Sequence, residues 1–426
     1  MKIKTKKMDY DQALAHPTLK LPKPIKPAMF WRLLIRALSI PAVLSTHLTC
    51  RKIGMEKLGK KEPCLFLMNH SCFMDMKIAH KVLFPRPFNI VCTTDGFVGK
   101  NWLMWLIGCI PTKKFVPDLG LVRNMKYVLQ KKKSSVLMFP EASYSFDGTA
   151  TTLPESLGKC VKLLGVPVVM IRTYGAFARD PLYNELQLRK VNISVDMTYL
   201  LSPEDIAAKS VEELNAILNE SFTFDNFRWQ QENKVRIAEP FRADGLERVL
   251  YKCPHCLEEG KTIGKGIHLT CHSCGTQYEL DEYGFLKATN AETKFTHVPD
   301  WYRWERDCVR QELLDGTYQL DTEVDIALMT DTTCLYQVGS GRLVHSKDGF
   351  HLTGCDGRID YKQAPLLSYS LYSDYFWYEI GDMLCVGNSD ILYYCFPKNN
   401  AVPVAKTRLA AEELYQIVKK EKSRKA

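Results

Sequence analysis

The sequence lacks an early secretory signature. No cleavable signal peptide is expected, because the first apolar stretch begins only near Met29. That stretch is itself too short and too charged to span a bilayer, carrying Arg32 and Arg36 and meeting Pro41. The chain also has little cysteine in paired patterns. Most of its 15 Cys stand singly in apolar runs (Cys64, Cys92, Cys109, Cys160, Cys385, Cys395), which argues against a disulfide framework and for a reducing compartment. Nor is there a segment where Lys and Arg interleave with aromatics around its cysteine knuckles, which argues against nucleic acid as a partner.

What remains is ordinary for a soluble protein of two or three domains: 426 residues, 46% hydrophobic and 25% charged. The formal charge of +9 sits at the two ends. Residues 1–27 read as a basic, flexible terminus, and the tail from Lys419 is basic as well. Such ends suit anionic lipid headgroups, with solvated tails as the alternative. Between them, residues 29–45 read as a helix lying in a membrane interface, with Phe30 and Trp31 at headgroup level. The expected location is cytoplasmic, peripheral on the cytoplasmic face of a membrane.

From Gly59 to about Leu201 strands alternate with helices, which predicts an α/β domain. Strands are expected at 63–68, 89–93, 135–139, 167–172 and 191–200, and helices near 73–84, 100–107, 118–132 and 153–164. Ser210-Val211-Glu212-Glu213 is a capping box that opens a further helix.

The first strand stops at Asn69-His70-Ser71-Cys72-Phe73-Met74-Asp75. Asn69 or Ser71 suits a helix N-cap. On one continuous helix His70 and Asp75 would not share a face. With His70 in the strand-to-helix turn, Asp75 falls in the first helical turn and leans back toward the imidazole. A carboxylate on one ring nitrogen frees the other as a base. A structural histidine at a helix start is the alternative this stretch leaves open. Three later segments add polar groups: Lys113-Lys114 after a short apolar turn, Phe139-Pro140-Glu141-Ala142-Ser143 at a strand end, and a buried strand ending in Arg172.

In this order these segments resemble the glycerolipid acyltransferase family, which includes the lysophosphatidic-acid acyltransferases. The likeness covers roughly residues 30–235, about half the chain, and its anchor is the H-x4-D box at His70 and Asp75. The F-P-E-G-[ST]-R-S segment corresponds to Phe139–Ser145, and V-P-[IV]-[IV]-P to Val166–Met170. The resemblance implies an α/β acyltransferase domain over 28–245. It implies acyl transfer from acyl-CoA or acyl-carrier protein to a hydroxyl of a lysophospholipid or other glycerolipid. His70 and Asp75 would be catalytic, with Glu141, Ser143, Lys113, Lys114 and Arg172 contacting substrate. The sequence departs from the family at Ala142, Tyr144 and Met170, where Gly, Arg and Pro are usual, and the lost arginine was one of two that help bind a phosphate. The other reading is a degenerate acyltransferase fold kept for lipid binding or scaffolding.

Such chemistry needs no acyl-enzyme, and Cys72 in the box reads as a packing residue. Backbone amides at the helix start are candidate donors to the oxyanion.

Residues 250–285 carry two knuckles, Cys253-Pro-His-Cys256 and Cys271-His-Ser-Cys274, separated by fourteen residues. Two such knuckles complete a tetrahedral structural zinc site, a zinc ribbon, with His255 and His272 left at the surface. Residues 286–426 read as short aromatic strands closed by a helix over 406–420. The strands are expected at 318–329, 334–338, 343–346, 350–353, 366–371, 375–380, 383–386 and 391–396. That pattern resembles a pleckstrin-homology or GRAM-like barrel in topology alone.

Overall fold

The structure, a computed structural model, describes residues 2–16, 22–116, 118–399 and 404–425. Seven strands form the sheet that positions the site: β1 (Thr49–Ile53), β2 (Leu65–Met68), β3 (Phe88–Thr93), β4 (Cys109–Thr112), β5 (Ser135–Met138), β6 (Val168–Tyr174) and β7 (Ser194–Leu201). Their order is β1-β7-β6-β2-β5-β3-β4. Every pair is parallel except β6 with β7.

β2 is apolar throughout because both of its faces are covered. Leu65 and Leu67 enter one layer with Val136 and Met170, while Phe66 and Met68 enter the other with Leu137 and Ile171. All five expected strands of this region form. β1 and β4 were not expected, for two reasons. All five residues of β1 are exposed, so it shows no alternation. β4 is four residues long, contains Pro111 and lies at the edge of the sheet, where a missing N–H is tolerated.

The helix Met29–Leu44 runs on through Pro41. Its two arginines face the protein. Arg32 donates to the Pro85 carbonyl at 2.7 Å, and the Arg36 guanidinium lies 4.1 Å from the centre of the Phe84 ring. Phe30, Leu33, Leu38 and Leu44 therefore point outward, with Leu38 71% exposed. No helix among the described residues is long and apolar enough to cross a membrane.

Within residues 1–27, the described stretch 2–16 is not the loose tail expected. Thr5–Lys7 adds a parallel strand beside Leu335–Gln337, and the short helix Tyr10–Ala15 buries Tyr10 and Ala13. Arg358 binds Asp9 at 2.7 Å and Asp11 at 3.1 Å, the two acids that the basic composition had masked.

The cysteine knuckles sit on a four-stranded antiparallel sheet spanning 262–288. The last sheet is antiparallel but for the added Thr5–Lys7 strand. A four-strand meander, Leu320–Leu328 through Ile359–Gln363, joins a three-strand one, Tyr372–Trp377 through Leu392–Pro397, where the first strand pairs with the last. Val404–Lys425 closes it. Two expectations fail here. The strands at 334–338 and 343–346 are one, Leu335–Ser346, and 366–371 contains a single tight turn in place of a strand. The helix Val298–Asp315 was missed, because Glu305 interrupts its buried stripe of Val298, Trp301, Tyr302, Val309 and Leu313. One apolar core runs from Phe146 and Phe177 through Tyr251 and Tyr278 to Leu409, so all three regions pack as one body.

Candidate active site

Because β2, β5, β6, β3 and β4 run the same way, their C-terminal ends open on one edge of the sheet. That edge gathers His70, Glu141, Thr173, Asp95 and the 113–114 lysines from segments far apart in sequence.

His70 lies in the turn after β2, and Asp75 is the first residue of the helix Asp75–Leu83. Met74 occupies the cap position, so neither Asn69 nor Ser71 caps this helix. Asn69 instead ties the end of β2 to β6: it accepts from the Thr173 amide at 2.8 Å and donates to the Ser71 hydroxyl at 3.0 Å.

The His70 Nδ1 atom lies 2.9 Å from Asp75 Oδ2. The same oxygen accepts from the backbone amides of Ser71 at 2.7 Å and Cys72 at 3.2 Å. An acceptor carboxylate at Nδ1 places the ring proton there and leaves Nε2 as the basic nitrogen. Those two amides are thereby committed to Asp75 and are not the oxyanion donors expected of them. Burial holds the imidazole pKa below its usual 6.5, although Asp75 pulls it up. His70 is thus neutral at pH 7, the form a general base requires. Phe139 and Tyr144 stand at ring-centre distances of 4.4 and 4.1 Å from it.

Glu141 has a different place from the one expected. One oxygen accepts from the His70 amide at 2.7 Å and the other from the Thr151 amide at 2.8 Å, and the residue is buried. Both of its oxygens are taken up by these amides, which hold the His70 turn. Burial pushes its carboxyl up to about 7 against the pull of these amides. Thr151 was missed by sequence reasoning, since nothing in a Thr-rich loop signals a donor to a residue ten positions back. Ala142 adopts φ +57°, the left-handed geometry that favours glycine.

Of the other expected contacts, Lys114 acts on the imidazole through its charge, which lowers the His70 pKa. Arg172 donates to the Ser221 carbonyl, because alternation along β6 turns it away from the Asn69 side that Thr173 occupies. Ser143 is buried and its hydroxyl makes no hydrogen bond among the described residues. Lys113 Nζ is held by the carbonyls of Ser389 and Asp390. Lys114 lies over the Tyr372 ring, 4.2 Å from its centre. Cys72 is buried with its thiol pKa pushed well up by burial, which removes it as a nucleophile.

The four knuckle thiols lie within 4.8 Å of one another, with Cys253 to Cys274 and Cys256 to Cys271 both at 3.7 Å. A tetrahedron with metal–sulfur bonds of about 2.3 Å has edges of about 3.8 Å, so the cluster can hold one metal ion. His255 pairs with the Tyr278 hydroxyl at 3.2 Å and His272 is exposed, so neither joins the set.

Residues 49–173, which include the His70–Asp75 pair, match the family described as Acyltransferase. The chain is distantly similar to 1-acyl-sn-glycerol-3-phosphate acyltransferases. It is 31% identical over 128 residues to a chloroplastic one of Brassica napus, covering 29% of this chain and 36% of that protein. It is 30% identical over 148 residues to a chloroplastic one of Arabidopsis thaliana, covering 33% and 40%. The chain thus spans less than half the length of these relatives. The crystal structure of the 1-acyl-sn-glycerophosphate acyltransferase from Thermotoga maritima matches with a TM-score of 0.38 at 15% identity, covering 48% of this chain and 80% of that one.

Proposed function

We propose that this chain is a membrane-surface O-acyltransferase. It moves a fatty acyl group from the thioester of coenzyme A or acyl-carrier protein to a hydroxyl of a lysophospholipid or other glycerolipid. The observation that carries the reading is the 2.9 Å contact between His70 and Asp75, with Nε2 left uncommitted at the open edge of a parallel sheet. His70 Nε2 takes the acceptor's hydroxyl proton as the oxygen attacks the thioester carbon. The C–O ester bond forms, the C–S bond breaks, and the imidazolium returns its proton to the departing thiolate. Asp75 fixes the tautomer and stabilises the imidazolium in between. Glu141 acts through position, by pinning the His70 amide.

Membrane attachment is supported by the helix Met29–Leu44, whose arginines turn inward while Phe30, Leu33, Leu38 and Leu44 turn out. The cysteine cluster is assigned to structural zinc: four thiolates leave no open position for substrate. The 4 + 3 antiparallel meanders with a closing helix support a pleckstrin-homology-like or GRAM-like domain at the C-terminus.

The test is transfer of labelled acyl chains from acyl-CoA or acyl-carrier protein to a panel of lipid acceptors on vesicles. His70→Ala should abolish transfer. Wild-type rates in that variant, or no transfer to any acceptor by the intact protein, would end this reading.

A further inference from the structure

We propose that the acceptor is uncharged at its reacting end, a glycerol or sugar hydroxyl on a lipid, and not a phosphomonoester. This rests on the acyl-transfer reading above and narrows its substrate class.

The argument is the charge that surrounds His70. Three cations reach this edge of the sheet, and each is already engaged. The Lys113 ammonium is held by the Ser389 and Asp390 carbonyls of the C-terminal sheet. Arg408, from the C-terminal helix, donates to the Tyr144 carbonyl at 3.3 Å and to Glu412 at 3.3 Å, and its guanidinium lies 4.7 Å from the centre of the Phe146 ring. It is 4% exposed, so it has no free face for a ligand. Lys114 sits on Tyr372, whose hydroxyl is 2.6 Å from Asp95. Asp374 follows Tyr372 by two positions on the same strand and so shares its face. Burial lowers the pKa of Lys114 and the charges of Asp95 and Asp374 oppose that shift, while burial pushes the Asp374 carboxyl itself up to about 7.

Three anions match these cations: Asp75 at the imidazole, Glu412 beside Arg408, and Asp95 within electrostatic reach of Lys114. A phosphomonoester brings a charge of about −1.5 to −2 at pH 7. Taking it out of water beside these carboxylates, where Lys113 and Arg408 are hydrogen-bonded and Lys114 is seated on the Tyr372 ring, is strongly unfavourable. The walls of the site are aromatic instead: Phe139 and Tyr144 face the His70 ring, and Phe73, 49% exposed, stands 5.6 Å from Tyr144. Such walls suit an alkyl chain leading to a neutral hydroxyl. The step balances as in the reaction above, with the proton passing from that hydroxyl through Nε2 to the leaving thiolate.

The experiment uses the full chain on phosphatidylcholine–phosphatidylglycerol vesicles with palmitoyl-CoA. It compares two acceptors that share one acyl chain, 1-monoacylglycerol and 1-acylglycerol 3-phosphate. The expected kcat/KM ratio favours the neutral acceptor by roughly tenfold or more. Equal rates, or preference for the phosphate, would overturn the inference while leaving acyl transfer intact. The double variant Tyr144→Arg/Asp374→Asn adds a guanidinium beside His70 and frees Lys114. It should shift the ratio toward the phosphate acceptor by roughly tenfold, and no shift would refute the charge argument. Transfer to neither acceptor would instead defeat the acyl-transfer reading. In that event calorimetry with glycerol 3-phosphate decides: binding to the wild type that Lys114→Ala abolishes would overturn the inference. Binding seen only in the double variant would support it.

Discussion

The Glu141 carboxylate lies 2.7 Å from the backbone nitrogen of His70, and so a residue seventy-one positions away fixes the turn that carries the base. Replacing it with Gln turns an amide N–H₂ toward one of two backbone donors. The expected result for Glu141→Gln is a fall in kcat of roughly 10- to 100-fold with KM little changed, since one lost buried hydrogen bond costs about 1–3 kcal/mol. Steady-state kinetics on the best acceptor would check it, and a pure KM effect would show instead that Glu141 touches substrate.

The same residue sets a pH dependence of stability. Its carboxyl is raised from 4.5 to about 7 in the folded protein. Across that window the folded state holds a proton that the unfolded state has released, so this group's contribution to stability falls as pH rises. Glu141→Gln should flatten the Tm against pH curve between those values, measured by calorimetry beside the wild type.

Activity should survive mild acid. Burial holds the His70 pKa below 6.5, so the imidazole stays neutral at pH 6.5 and the base is lost only further down. The acid limb of the kcat profile is expected to have its midpoint below 6.5. A midpoint above it would mean that Asp75, and not burial, dominates.

Zinc removal should unfold more than the ribbon. Tyr251, Leu269 and Tyr278 belong to the core shared with Phe146, Phe177 and Leu409. Chelation, or Cys253→Ser, is expected to lower Tm by about 10 °C, since the site's metal binding is folding energy of several kcal/mol. Metal analysis should find one zinc per chain in the wild type.

Leu38→Glu should weaken vesicle binding by roughly tenfold or more, the loss of one apolar side chain from the interface. Its Tm should hold, because Leu38 is largely exposed. Unchanged sedimentation with vesicles would move the attachment surface elsewhere.

Much of the architecture was legible because it is written in periodicity. The apolar runs that become β2, β5 and β6 sit at the centre of the sheet, where both faces are covered. Edge strands such as β1 escape that logic, since their residues meet water. The His70–Asp75 pair could be read because five residues separate its members. The role of Glu141 could not, because it depends on two backbone amides whose positions only the assembled sheet defines. The surroundings of Lys113 and Lys114 were hidden for a related reason. Their partners, Ser389, Asp390 and Tyr372, lie more than 250 residues away.

The strand Thr5–Lys7 beside Leu335–Gln337 makes the chain close on itself. Residues 5–7 find their hydrogen-bonding partners only after some 330 more residues have been made. Until then Thr5–Lys7 has no strand to pair with. Contacts so distant in sequence are slow to form. A chain stopped before residue 335 would keep its histidine box and the contacts of Arg32 and Arg36, while Thr5–Lys7 lacked its partner strand.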